Sequence, residues 1–109
     1  MARVDSTVLN NVRSFLAKLD GAGIHIHKAY IFGSWARGTT DKWSDVDVAV
    51  VSPQISSDRF EERVRLTKLA ISIDARIEPL PFSVDDFSEN DPLVRMIIQD
   101  GIAVAMQEG

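Results

Sequence analysis

A chain of 109 residues, 45% hydrophobic and 26% charged, fits one compact domain over residues 1–109 with the composition of an ordinary globular protein. The absence of cysteine excludes disulfides, a thiolate nucleophile and zinc–thiolate sites, and makes a reducing cytoplasm the default expectation. A net charge of -4 argues against generic binding to a nucleic-acid backbone, and no apolar run or N-terminal leader pattern points to a membrane.

Asp5 and Ser6 supply an N-cap for a first helix, in which Val8, Leu9, Val12, Phe15, Leu16 and Leu19 recur at helical spacing until Asp20–Gly23 ends it. A strand is predicted from His27 to Phe32, stopped by Gly33 and Ser34. A short helix or turn and the polar stretch from Gly38 to Ser44 follow. A second strand runs from Asp45 to Val51 and stops at Ser52–Pro53. Ser57 and Asp58 cap a second long helix with Phe60, Val64, Thr67 and Ile71 on one face. Ala75 to Leu80 reads as a third strand, with Pro79 and Pro81 marking its end or a sheet edge. Asp91 and Pro92 open a last helix with Leu93, Val94, Ile97 and Ile98 as its core stripe. Gly101 closes it before a short strand from Ile102 to Met106. Helices and strands alternating around a small sheet give a mixed α/β (α+β) class.

The chemistry is concentrated between Gly33 and Val51. Strand side chains alternate, so Asp45 and Asp47 share a face, roughly 7 Å apart along the chain. Two carboxylates opening an apolar strand are costly when buried and unpaired, but favourable around a divalent cation. A few hard oxygen ligands, with phosphates completing the shell, describe magnesium better than calcium. Upstream, Gly33 lets the backbone turn tightly after a strand, and the N–H groups of such a turn make an anion site for a polyphosphate. The Ser34 hydroxyl can donate to a phosphate oxygen, and Arg37 can clamp a phosphate or pair with a carboxylate. No Gly-Lys-Ser/Thr follows, and Gly-x-Gly-x-x-Gly is absent, so neither the Walker loop nor the dinucleotide fingerprint applies.

The segment Gly33-Ser34-Trp35-Ala36-Arg37-Gly38, with Ser44-Asp45-Val46-Asp47-Val48, resembles the signature of the DNA polymerase beta-like nucleotidyltransferase superfamily. It is most similar to the minimal nucleotidyltransferase branch: Gly-Ser, ten intervening residues, then Asp-x-Asp. The resemblance implies that fold and a magnesium-dependent transfer of a nucleoside monophosphate, AMP from ATP or its equivalent from another NTP. Asp45 and Asp47 would hold two Mg2+ ions, and a third carboxylate would come from a neighbouring strand. Its match is Glu78, where many relatives carry Asp; Asp74, on the same predicted strand face, is the reserve. Gly33, Ser34, Arg37 and Ser44 would bind the nucleotide. The branch also implies a HEPN-type protein partner, often a toxin ribonuclease that its antitoxin silences by adenylylating a tyrosine, in a heteromeric or homo-oligomeric assembly. The alternative is a non-catalytic antitoxin that masks its HEPN partner, its nucleotide and metal site regulatory or vestigial.

Plainer roles stand beside these. Glu78 can form a surface salt bridge with Arg76 or Arg37, and Ser44 can simply cap its turn. Trp35 and Trp43 can flank a base, although tryptophans beside a glycine turn more often pack. His25 and His27 are expected to be exposed rather than to bind metal.

Overall fold

A computed structural model describes residues 5–38 and 44–105, the Arg37 side chain excepted. The elements in chain order are α1 (Ser6–Gly21), β1 (Lys28–Phe32), α2 (Ser34–Arg37), β2 (Val46–Val51), α3 (Arg59–Ala70), β3 (Ile77–Phe82), α4 (Pro92–Asp100) and β4 (Ile102–Ala103). Asp5 caps α1 by accepting from the Thr7 and Val8 amides, and Asp91 caps α4 by accepting from the Leu93 amide. The third strand begins and ends two residues later than expected. Trp43 and Met106 lie outside the described residues.

The four strands form a mixed sheet in the order β3-β2-β1-β4. β1 runs antiparallel to β2 and β4, whereas β2 and β3 are parallel, joined through α3. The outward edge of β3 explains its two prolines. Register places Pro79 and Pro81 at alternate positions, and the ladder bond from the Val46 amide to the Arg76 carbonyl puts the residues between them in the pairing to β2. The missing N–H groups therefore face away from the sheet, where a proline costs no ladder bond and deters edge-to-edge pairing.

Strand alternation divides the core in two. Val46, Val48, Val50, Ile31 and Ile77 meet α1 and α3 on one face, with Val12, Phe15, Leu16 and Leu66 fully buried among them. On the other face, Phe32, Ala49, Val51 and Phe82 meet Val94 and Ile97 of α4. Phe87 closes that face between Tyr30 and Phe82, with centroids 5.7 and 5.2 Å away. Ile98, expected in the α4 stripe, is 36% exposed, because a nine-residue helix lying on the sheet buries only its Val94–Ile97 line fully.

The α3 helix corrects its sequence pattern most sharply. Its inward residues are Glu62, Leu66 and Ala70, while Phe60, Val64 and Ile71 point outward. The buried Glu62 carboxylate is satisfied by the Ser56 amide at 2.9 Å and Arg65 at 2.8 Å, so the inward face tolerates it.

At the other end of the chain, a Cβ at Gly101 would sit 2.3 Å from the Ile97 carbonyl oxygen and 3.2 Å from that of Ile31. Both obstacles are backbone and cannot rotate away. Gly101→Ala is expected to lose about 1–3 kcal/mol of stability, typical of overpacking, read as a lower urea midpoint at unchanged m-value.

Candidate functional site

β2 carries its carboxylates at its N-terminal end. Asp47 is register partner to Phe32 on one side and to Glu78 on the other. Its face follows from its neighbours: Ala49 and Val51, two and four residues on, pack against α4. Phe82, four residues after Glu78, packs there too. Asp47 and Glu78 thus emerge side by side from the α4 face, on strands roughly 4.8 Å apart. Asp45, one residue ahead of the strand, is exposed.

Gly33 follows Phe32 directly, so the register delivers the turn onto Asp47. Its backbone has φ 73° and ψ -147°, a region essentially restricted to glycine. A Cβ there would lie 2.3 Å from the Asp47 Oδ2. Conformation and clearance both demand a residue without a side chain. Ser34 begins α2 immediately afterwards. With four residues, α2 has little dipole of its own, so what the turn could offer an anion is its backbone N–H groups.

Trp35 does not flank a base. It is 8% exposed within the α1/α3 core, and its indole N–H donates to the Ser44 carbonyl at 3.2 Å. That bond ties α2 to the residue preceding Asp45, across the segment 39–43 that lies outside the described residues. The Arg76 guanidinium lies 5.7 Å from the Trp35 ring, and the Arg76 carbonyl receives the Val46 amide at 2.8 Å. Trp35 therefore packs in the core and braces the approach to β2 through Ser44, a contact that its place in the motif did not reveal.

Asp74 is not on the strand face of Glu78. It precedes β3 and faces α1, accepting from Asn11 at 3.1 Å and from Arg76 at 2.8 and 3.0 Å. The Arg76 hydrogen bonds hold its carboxyl down at about 2, below its ordinary 3.8. A carboxylate so engaged is structural. Since its folded pKa is the lower one, the stabilisation is complete above pH 3.8 and fades as the pH falls through about 2. Asp74→Asn is expected to cost about 2 kcal/mol at neutral pH and progressively less as the pH falls towards and below about 2, a convergence that paired denaturation curves would register.

Glu78 is held by an arginine that the sequence did not single out. Arg63 of α3 reaches over the β3 edge to hold its Oε2 at 3.1 Å, and both side chains are about half exposed. Arg59 follows the same route to lie over the Phe82 ring, 4.9 Å from its centroid. Among the described residues, no three carboxylates or histidines converge as a ready-made metal cage. The donor chemistry nevertheless fits a hard divalent cation: Asp47 and Glu78 share a face, Asp45 lies two residues ahead of Asp47, and the Gly33 backbone packs directly against the Asp47 carboxylate. His25 is exposed beside Asp20, and His27 is exposed.

A family model described as nucleotidyltransferase domain matches residues 9–104. No curated protein sequence matches the chain significantly. Among solved structures, a Sulfolobus solfataricus protein proposed to be a nucleotidyltransferase has a TM-score of 0.61 at 18% identity, covering 94% of this chain and 89% of that one. A toxin–antitoxin structure with AMP-PNP has a TM-score of 0.63 at 20% identity, covering 92% and 74% respectively. A toxin–antitoxin MntA–HpeT structure with a tyrosine-to-alanine substitution has a TM-score of 0.62 at 21% identity, covering 89% and 73%. At these identities the likeness is one of fold.

Proposed function

Because the chain belongs to the nucleotidyltransferase domain family, we propose that it moves a nucleoside monophosphate, AMP from ATP, onto a hydroxyl of a partner protein, as the antitoxin of a HEPN toxin. The observation that carries the site is the convergence of three parts. The Asp47 and Glu78 carboxylates are register neighbours on one face, and the Gly33 backbone lies against Asp47 with no room for a Cβ.

Asp45, Asp47 and Glu78 would hold Mg2+, with two ions the number the resemblance implies. When bound, magnesium supplies Lewis-acid activation of a hydroxyl and charge neutralisation on the polyphosphate. The turn N–H groups and the Ser34 hydroxyl donate to phosphate oxygens and hold the chain of phosphates in line. Arg37, whose side chain is outside the description, and Ser44 complete the nucleotide contacts. The acceptor oxygen attacks the α-phosphorus, the bond to the bridging oxygen breaks and pyrophosphate leaves. Glu78 takes the hydroxyl proton through the carboxylate oxygen that Arg63 does not hold. The toxin–antitoxin assemblies among the structural neighbours support a toxin partner.

A second reading is favoured by the Arg63–Glu78 pair itself: a third carboxylate held by arginine suits a protein that neutralises its partner by masking it. Labelled ATP, magnesium and the product of the adjacent gene separate the two. Transfer that survives Asp45→Ala with Asp47→Ala would sink the catalytic reading. Neutralisation that survives without transfer would establish masking.

A further inference from the structure

The outward line of α3, continued by its C-cap residue Ile71, carries three exposed apolar side chains. Phe60 is 80% exposed, Ile71 63% and Val64 40%, and Thr67 completes the i, i+4, i+7, i+11 spacing of a single helical stripe. Large apolar side chains aligned in this way mark a binding face more often than isolated exposed ones do. The flanks are cationic: Arg59 and Arg63 on the β3 side, Arg65 and Lys68 on the other. Against these four cations stand Glu61 and Glu62, giving α3 a net +2 on a chain of net -4. Glu62 is buried and already satisfied. Between the stripe and β3 lies a groove of about 450 Å³, lined by Phe60, Arg63, Val64, Thr67, Lys68 and Glu78. Arg63 already holds a carboxylate in that groove.

We propose that this face docks an amphipathic helix of a partner protein, its apolar line seated on Phe60, Val64 and Ile71 and its acidic flanks meeting Arg59, Arg65 and Lys68. Helix-on-stripe recognition through i, i+3/i+4 anchors matches the geometry, and the cationic rim selects the sign of the flanks. A second copy suits the face poorly, since α3 against α3 would bring like charges together. Because the groove ends at Glu78, a partner so docked lies beside the proposed active site. In that respect the inference rests on the function proposed above.

The test uses the whole chain and two labelled helical peptides of about 16 residues, roughly 24 Å long, sharing a Leu stripe but flanked by Glu or by Lys. Fluorescence anisotropy should show the Glu-flanked peptide binding roughly tenfold or more tightly than the Lys-flanked one, and Phe60→Ser with Ile71→Ser should weaken it by a similar factor. Arg59→Glu with Lys68→Glu should invert the preference. Both pairs alter exposed positions, and circular dichroism checks that each variant is folded. Asp45→Ala with Asp47→Ala should bind the peptide as the parent does, so a failure of nucleotidyl transfer leaves this result untouched. Equal affinity for the two peptides, no binding of either, or binding unchanged by the stripe variant would each overturn the proposal. So would sedimentation showing a dimer that the stripe variant abolishes, because the occupant would then be a second copy.

Discussion

Replacing Asp47 with asparagine is expected to lower nucleotidyl transfer about 10³-fold, equivalent to about 4 kcal/mol of transition-state stabilisation, while leaving the fold intact. Asparagine keeps the volume and one acceptor oxygen but loses the charge that a divalent cation needs. Asp47 sits at the centre of the site, with Phe32 and Glu78 as strand neighbours and the Gly33 backbone against its carboxylate. The strand around it is held independently. Val46 and Val48 are fully buried, and the Val46 amide is bonded to the Arg76 carbonyl. Stability without metal should therefore change little. The diagnostic measurement is the thermal shift caused by magnesium and a non-hydrolysable ATP analogue. The parent should gain stability through linkage, and Asp47→Asn should not. An equal shift in both would place the metal elsewhere.

The parts of this site that are local in sequence were legible there. Gly33, Ser34, Asp45 and Asp47 fall within fifteen residues, and strand alternation alone relates the two aspartates. Non-local relations were not legible. Whether Asp74 or Glu78 neighbours Asp47 depends on the parallel register, in which Val46 meets Ile77. That register follows from packing across the sheet. The Asn11–Asp74 contact spans 63 positions. The Arg63–Glu78 contact spans 15 and crosses a strand edge, which no periodicity reports. The α3 pattern was ambiguous for another reason. Phe60–Val64–Thr67–Ile71 and Glu62–Leu66–Ala70 both satisfy helical spacing, and the more apolar line is the one left outside. Hydrophobicity alone would bury Phe60.

Gly33→Ala tests whether the turn and the metal strand act as one unit, and it is expected to reduce transfer at least 10²-fold, or about 3 kcal/mol. Alanine at φ 73° and ψ -147° adds backbone strain of about 1–3 kcal/mol. Its methyl group would also occupy the space of the Asp47 Oδ2, 2.3 Å away, and the short aspartate must rotate from its position. The activity loss therefore passes through Asp47, and the two substitutions should not add. Gly33→Ala with Asp47→Asn should be scarcely less active than Asp47→Asn alone. Stability offers a second, independent comparison. In an Asp47→Ala background the clash is gone but the strain remains, so Gly33→Ala should destabilise that variant less than it does the parent. The difference between the two losses isolates the steric contact. Full additivity in activity, together with equal stability losses in both backgrounds, would mean that Gly33 serves the turn alone and that Asp47 holds its position without it.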